Sequence, residues 1–515
     1  MTNLSQGANN KRIAKNTVFL YIRMLLIMIV TFYTSRIVLD VLGEEDYGIY
    51  GVVGSIVAMF GFFSSTLSAT CQRYFSYELG RGNIAELVKM FKLNMSVFIV
   101  FSLIVFVFAE TVGLWFVNTH LTIPHERMPA MNWVFQCAII TFIAHIAIVP
   151  YKALIIAYEK MSAFAYISIL EVMLSLLAVC SLYFFGSDKL ILYGVLLCLN
   201  NIAITYGYYY YCKKNFKECR YSFYWDKNRI REVVSYSGWH ILGSLSVMVK
   251  NQGVNILLNM FFNPVVNAAR ALAFQIMVGV DSLGNNFFMA VKPQIYKLYA
   301  CRDMKGLNDL IIRSSKMCFF LIFIIALPVI LNTEDILSIW LKEVPDNTIL
   351  FTKLVLINAI IDSINGPAIA AALSTAKIKK FEIITGGLMI LNLPIAYAAL
   401  SLGAAPEIAF YISIAIAILT IVIRAYILRT LVELSVYEYL IRMCIPLSLV
   451  AGVCFVLGSL CSFDFSEPLV RVIVSGFISL CITVVLFYAL GLNKSERTLL
   501  RNFVLKKINY AYKQR

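Results

Sequence analysis

Apolar segments of about twenty residues recur along nearly the whole of this 515-residue chain. The hydrocarbon core of a bilayer is about 30 Å thick, and an α-helix needs about 20 apolar residues to cross it. The segments are long and continuous rather than alternating, which favours helices over β-strands. The sequence therefore predicts an all-α polytopic membrane protein with about fourteen transmembrane helices. The candidate spans are 16–40, 46–72, 90–116, 129–150, 161–185, 189–212, 233–260, 264–291, 309–332, 347–374, 380–402, 405–431, 436–460 and 467–491.

The composition agrees with a membrane location. Hydrophobic residues make up 60% of the chain and charged residues only 14%, against about 45–50% and about 25% in soluble domains. The first span follows three basic residues, as a signal peptide does. It is too long for the apolar part of a signal peptide, and no small-residue cleavage site follows it. We therefore expect a retained helix.

The charged residues predict an orientation. Basic residues collect in alternate loops, above all in the run from Lys213 to Arg231 and in the tail from Lys494 to Arg515, whereas the intervening loops are short and acidic, such as GEED at 43–46. Basic loops stay on the cytoplasmic side, so both termini are predicted to be cytoplasmic. The net charge of +15 then lies against an anionic leaflet. No nucleic-acid recognition motif accompanies it, and no nucleic-acid partner is expected.

The cysteines and histidines predict neither disulfides nor a metal site. The twelve cysteines are scattered without a CxxC pair, so they are expected to behave as small buried residues. His120 and His125 share an outer loop, but two histidines without further ligands are a weak metal signal. No metal and no cofactor are expected.

The order of spans suggests two six-helix blocks related as parallel repeats. PYKALIIAYEKMSAF at 150–164 aligns with PAIAAALSTAKIKKF at 367–381, with proline, alanine, lysine and phenylalanine in register. The prediction is of two pseudo-symmetric six-helix lobes plus two extra C-terminal helices. The predicted parts are a basic N-terminus (1–15), an N-terminal lobe (16–212), an amphipathic connector (213–232), a C-terminal lobe (233–431), helices 13 and 14 (436–491) and a basic tail (492–515).

Several local motifs resemble those of a known family. The basic segment NKRIAKN leads into the first span, VLGEEDYGIYGVV forms the first outer turn, and QRYFSYELGRGN follows the second span. Together with the proline–EK segment after span four, they resemble the polysaccharide and O-antigen flippases of the multidrug/oligosaccharidyl-lipid/polysaccharide exporter superfamily. The resemblance implies two lobes around a cavity that opens alternately to either side, and a lipid-linked oligosaccharide as cargo. It also implies that the two extra helices help to form a groove for a lipid tail.

Polar residues inside the spans are candidates for the cavity wall, because charges rarely face lipid. They concentrate in spans one, seven and eight. A basic cavity suits a diphosphate, since arginine offers a bidentate fork and lysine a point charge. The candidate substrate-binding residues are Arg23, Arg36, Lys250, Asn251, Asn255 and Arg270.

Each basic candidate has a competing interpretation. Lys250 lies too deep to reach the interface easily, and the alternative to a cavity role is an ion pair with Asp281. Arg23 could instead extend to the cytoplasmic interface. Arg36 and Arg270 lie near the outer ends of their spans, where an interfacial role is the stronger alternative.

Three acids within the spans are candidates for ion coupling. Asp281, Glu171 and Asp362 could each exchange a proton or bind Na⁺, because burial favours the protonated carboxyl. The alternative is that each carboxylate only ties two helices together, and for Glu171 and Asp362 this is the favoured interpretation.

The sequence also argues against other functions. No GxxxxGK[ST] loop is present, so hydrolysis of ATP through a P-loop is not expected. The outer loops are short and carry no paired carboxylates, which argues against a polymerase or ligase, so the chain is not expected to be an enzyme. A multidrug exporter of the same superfamily is the closer alternative, but a pocket for organic cations should be acidic, and the candidates here are more basic than acidic.

The expected function is thus to move a polyprenyl-diphosphate-linked oligosaccharide across a bacterial cytoplasmic membrane during surface polysaccharide biosynthesis, as in O-antigen and lipopolysaccharide assembly. Its expected partners are the lipid-linked oligosaccharide, membrane lipids, and the glycosyltransferases and polymerase of the same pathway.

Overall fold

A computed structural model gives the fold. It describes residues 2–120, 125–185, 188–262, 264–341, 343–461, 467–493 and 496–498. Within these ranges the side chains of residues 2–11, 51–63 and some others, Arg36 among them, are not described. The described residues contain helices and turns but no strand, as the apolar segments predict.

The chain divides into two compact units, and their residue ranges differ from those of the predicted lobes. The first unit comprises Met1–Ser244 and Met289–Asp303, and the second comprises Leu245–Phe288 and Met304–Arg515. Two long helices therefore contribute to both units, since the first boundary lies inside α7 and the second inside α8. The predicted domain boundaries stay a prediction.

The first unit is built from the N-terminal helices and from parts of α7 and α8. Helix α4 packs against α1, α5 and α6, and α2 packs against α1 and α4. The helices in order are α1 (Thr2–Gly80), α2 (Ile84–Phe108), α3 (Leu114–His120), α4 (Met128–Ala157), α5 (Met161–Ser181), α6 (Lys189–Asn215), α7 (Lys227–Phe261) and α8 (Pro264–Ala300).

The second unit contains the rest of α7 and α8 and the C-terminal helices. Helix α9 packs against α11, α12, α17 and α18, and α15 packs against α11 to α14. The helices are α9 (Met304–Leu331), α10 (Thr333–Trp340), α11 (Thr348–Asp362), α12 (Asn365–Ser374), α13 (Lys379–Ile390), α14 (Asn392–Ser401), α15 (Ile408–Val432), α16 (Val436–Tyr439), α17 (Ile445–Leu460) and α18 (Pro468–Leu486).

Helix α1 is interrupted at the predicted first outer turn. Gly43 has φ 76° and ψ 172°, a backbone conformation that residues with a side chain rarely adopt. The glycine of the GEED segment thus ends one helical arm and begins the next.

The predicted count of fourteen spans is not confirmed. Eleven described helices are long and apolar enough to cross a membrane, or twelve if α11 and α12, which meet at an angle of 42°, form one bent span. The other two predicted spans, 46–72 and 264–291, are helical within α1 and α8. Helix α8 falls short in apolar character because it carries charges such as Arg270 and Asp281.

Each unit has its own apolar core. In the first, residues from α1, α3, α4, α5 and α6 form a cluster that includes the fully buried Val117, Met131 and Leu190. In the second, α7, α8, α11, α14 and α15 form a cluster that includes the fully buried Leu258 and Phe351. The second core is continuous with the site described below.

The contact between the end of α1 and the end of α8 requires glycine. A Cβ atom on Gly80 would lie 2.8 Å from the Cα atom of Lys297 and 2.9 Å from its carbonyl oxygen. These are backbone atoms, which a side-chain rotation cannot move away. The close approach of α1 and α8 within the first unit therefore depends on the missing side chain.

We expect Gly80→Ala to destabilise the protein by about 1–3 kcal/mol, the usual cost of overpacking. Gly207 is a matched control, because a Cβ atom there would meet nothing within 4 Å and alanine favours a helix by about 1 kcal/mol. Thermal unfolding of the purified variants measures both effects. Equal melting temperatures for the two variants would contradict the packing argument.

Candidate functional site

A pocket in the second unit gathers most of the predicted site residues. Its polar lining comes from α7, α8, α11 and α15, and its remaining wall is largely apolar. The polar lining residues are Lys250, Asn251, Arg270, Asp281, Asn358, Asp362 and Ser413. Five of them were predicted from the sequence, although their roles stay a prediction.

Helical periodicity explains how these residues meet. On α7 the lining residues are spaced by three and four positions, from Val247 through Lys250 and Asn251 to Val254. Residues at such intervals share one helical face. On α8 the same spacing connects Arg270 with Asp281 through Phe274 and Met277. Each helix thus presents one stripe of mixed polar and apolar side chains to the pocket.

Arg270 is held in place by α7. Its guanidinium donates to the Asn255 side-chain oxygen at 3.2 Å and to the backbone carbonyl of Asn251 at 2.8 Å. The group also lies 4.2 Å from the centre of the Phe274 ring. Arg270 is buried and lines the pocket, while its role in binding cargo stays a prediction. Asn255 acts through Arg270 instead of lining the pocket.

Lys250 also lines the pocket, and it is buried. Its ammonium and the Asp281 carboxylate both border the same space, yet no ion pair within 4.0 Å joins these two described side chains. The structural pairing considered for Lys250 is therefore not formed in this structure. The amine remains available to a group inside the pocket.

Asp362 lies at the break between α11 and α12. The Asn358 side chain donates to one of its carboxylate oxygens at 3.1 Å, and the Asn365 side chain donates to the other at 3.1 Å. These two hydrogen bonds connect the Asp362 carboxylate to one residue of α11 and one of α12, while its role, ion coupling or helix tying, stays a prediction. It also borders the pocket and interacts electrostatically with Asp281.

Arg23 and Glu171 belong to the first unit, apart from this pocket. The Arg23 guanidinium lies 4.6 Å from the centre of the Phe164 ring and is attracted by Glu171 and by the Tyr208 hydroxyl. Lys152 is attracted by the same carboxylate. The side chain of the last predicted candidate, Arg36, lies outside the described part of the chain.

A buried cluster surrounds Glu159, which was not among the site residues predicted from the sequence. The Glu159 carboxylate is fully buried and accepts from Arg12 at 2.6 Å, from Lys297 at 2.6 Å and from the Gln294 side chain at 3.1 Å. The Asn16 side chain donates to its backbone carbonyl at 3.1 Å. Two motifs that carry the family resemblance, NKRIAKN and the EK after span four, meet here. Because both segments carry the family resemblance, the sequence did indicate that each one matters. Their spacing in the sequence does not show that they are in contact.

The connector is anchored beside this cluster. Tyr158 donates to the Glu218 carboxylate at 2.9 Å, and its ring stacks on Phe216 with centroids 4.5 Å apart. Burial raises the pKa of the Tyr158 phenol, so it stays protonated and keeps donating at neutral pH. Part of the predicted amphipathic connector is therefore packed on the protein.

The fold is similar to that of solved transporters. A MATE protein in complex with MaD3S matches with a TM-score of 0.71 at 10% identity, over 82% of this chain and 97% of that chain. The MATE transporter ClbM in complex with Rb⁺ matches with a TM-score of 0.66 at 11% identity, over 82% and 95%. At such identities the likeness concerns the fold alone.

A third solved structure is a MOP superfamily transporter from Pyrococcus furiosus, for which reverse polarity of the binding pocket is reported to suggest a different function. It matches with a TM-score of 0.70 at 11% identity, over 82% of this chain and 96% of that chain. The chain therefore shares the fold of these solved transporters.

The sequence comparisons give the family. The search of curated proteins found no match. The family model for polysaccharide biosynthesis proteins matches residues 13–298, more than half of the chain. That range contains Glu159, Gln294 and Lys297 of the buried cluster and the pocket residues of α7 and α8, whereas Arg12 lies one residue before it. The chain therefore belongs to the polysaccharide biosynthesis protein family, with the fold of the multidrug/oligosaccharidyl-lipid/polysaccharide exporter superfamily.

Proposed function

We propose that this protein moves a polyprenyl-diphosphate-linked oligosaccharide from the inner to the outer face of a bacterial cytoplasmic membrane. The observation that carries the proposal is the pocket of a polysaccharide-family transporter in which Lys250 and Arg270 border one space. The oligosaccharide would be a building block of a surface polysaccharide, and the enzymes that make and polymerise it would be functional partners.

The chemistry of the pocket suits a diphosphate. Arg270 has its guanidinium fixed by two hydrogen bonds to α7, so little rotamer entropy is lost when a ligand binds. Lys250 adds a compact charge without a carboxylate partner within ion-pair distance among the described residues. Charge-assisted hydrogen bonds from such groups to phosphate are about twice as strong as neutral ones.

The two acids in the same pocket provide a means of coupling. Asp281 and Asp362 interact electrostatically and line the space that Lys250 and Arg270 share. A proton or Na⁺ bound to them would cancel their repulsion of an anionic cargo. Release of that ion would weaken the binding of the cargo to the pocket, because two negatively charged carboxylates would then repel the diphosphate. In the first unit Glu171 is a further candidate for ion coupling, and its carboxylate attracts Arg23.

A cation-coupled multidrug exporter is the second candidate. Its support is the fold, which matches an outward-facing multidrug resistance MATE transporter with a TM-score of 0.71 at 10% identity. The pocket has two basic and two acidic residues. The candidates predicted from the sequence were more basic than acidic, so the charge of the pocket alone does not favour an anionic cargo. The match to the polysaccharide biosynthesis family favours the lipid-linked oligosaccharide over an organic cation as the cargo.

The distinguishing experiment uses cells in which the gene is deleted and then restored as wild type or as Lys250→Ala. Loss of surface polysaccharide with lipid-linked units accumulating on the inner leaflet is the expected result of deletion. Lys250→Ala should fail to restore display, because it removes an unpaired pocket cation. Normal polysaccharide together with new sensitivity to cationic dyes would instead establish the drug-exporter function.

A further inference from the structure

We propose a second anion-binding site in the first unit, formed by Lys292, Tyr296 and Arg73 with their neighbouring tyrosines, which holds the diphosphate group of the cargo on the cytoplasmic side before transport. The inference rests on the proposed function, because that function supplies the ligand. The residues come from α1, α7 and the part of α8 that belongs to the first unit.

Arg73 is the cationic centre of this site. It is buried, and its guanidinium carbon lies 4.4 Å from the ring centre of Tyr74, 5.3 Å from that of Tyr77 and 5.2 Å from that of Tyr236. Three aromatic rings around one guanidinium fix its orientation by cation–π contacts. Glu78 attracts Arg73, and a second acid, Glu232, accepts a hydrogen bond from the Tyr74 hydroxyl at 3.2 Å.

Tyr296 adds a hydroxyl with no protein partner. Its side chain is fully buried, and its phenolic oxygen forms no hydrogen bond to any described residue. Tyr296 interacts electrostatically with Arg73 and Tyr236, so the hydroxyl belongs to the same cluster. Leaving a buried hydroxyl unpaired is costly. A ligand acceptor such as a phosphate oxygen would satisfy it.

Lys292 adds a second cation, one turn before Tyr296 on α8. Its amine lies 6.0 Å from the Tyr296 ring centre. The side chain is only partly exposed, and no described carboxylate forms an ion pair with it. A phosphate-bearing ligand would supply the missing negative charge, whereas a cationic ligand would be repelled by Lys292 and Arg73 together.

The three helices bring these groups to one depth. Arg73 lies seven residues before the end of α1, Lys292 eight residues before the end of α8, and Tyr236 nine residues after the start of α7. At 1.5 Å per residue these positions are all about 10–14 Å from helix ends that the charge pattern assigns to the cytoplasm. A headgroup of a lipid in the inner leaflet can reach this depth.

The test measures binding to the purified full-length protein, with farnesyl diphosphate and inorganic pyrophosphate as probes in titration calorimetry. Lys292→Gln should weaken farnesyl diphosphate binding about tenfold, the effect of one charge-assisted hydrogen bond. Tyr296→Phe should weaken it by about threefold, and it removes only the unpaired oxygen, so it serves as the test if Lys292→Gln does not fold. Lys305→Gln and Tyr206→Phe, which change exposed side chains, should bind as wild type does.

The outcomes separate this site from the pocket. The losses should persist in a Lys250→Ala background, because the two sites lie in different units. A loss for both probes assigns the site to the diphosphate itself, and a loss for farnesyl diphosphate alone assigns it to a lipid headgroup. Unchanged binding by Lys292→Gln and Tyr296→Phe would overturn the second site. If polysaccharide display then still required Lys250, the proposed function would stand without it.

Discussion

Arg270→Ala is expected to reduce transport of the lipid-linked oligosaccharide about a hundredfold. The substitution removes the pocket's fixed guanidinium and the two hydrogen bonds that join α8 to α7. Losing charge-assisted bonds of this kind to a phosphate costs about 3 kcal/mol, which corresponds to about a hundredfold. The measurement is the initial rate of translocation in reconstituted vesicles at subsaturating cargo.

Two further variants make this result specific. Arg270→Lys keeps the charge but loses the planar fork, so an intermediate rate is expected. Arg429→Ala removes an exposed arginine from the end of α15 and should transport normally. If folded Arg270→Ala moved cargo as fast as wild type, the assignment of the pocket to the diphosphate would be wrong.

Glu159→Gln is expected to lower the melting temperature by about 5 °C or more. The neutral amide cannot balance Arg12 and Lys297, which both contact the buried carboxylate at 2.6 Å. Removing one partner from a buried ion pair costs about 3–5 kcal/mol, and the partial exposure of the two cations places this case at the lower end. Thermal unfolding in detergent measures the change.

The matched control is Glu334→Gln, which neutralises an exposed acid on α10 and should leave the melting temperature nearly unchanged. Exchanging the charges in a Glu159→Lys, Lys297→Glu double variant should recover part of the lost stability. A melting temperature for Glu159→Gln equal to that of the control would mean that the cluster does not stabilise the first unit.

The sequence predicted the parts of the fold that depend on local pattern. Continuous apolar runs predicted the helices, and the break in α1 at Gly43 coincides with the turn predicted at GEED. Polar residues in spans seven and eight were predicted to line a cavity, and the structure brings Lys250, Arg270 and Asp281 to one pocket.

Features that depend on contacts between distant segments were not predictable. Glu159 and Arg12 are 147 positions apart in the sequence (159 − 12). Neither residue lies inside an apolar run, where a charged residue would have been selected as a candidate. Likewise, the apolar pattern predicts that α7 and α8 are spans of the C-terminal lobe. It contains no sign that each helix contributes to both compact units, because that division depends on tertiary packing.

The most direct test of the central claim is translocation in vesicles that contain only the purified protein and a fluorescent polyprenyl-diphosphate-linked oligosaccharide. Chemical quenching from outside reports which leaflet holds the sugar. We expect rapid exchange between leaflets with the wild-type protein and none with a Lys250→Ala, Arg270→Ala double variant. Vesicles that leave the lipid-linked sugar in place, yet exchange Na⁺ or protons for an organic cation, would contradict the account.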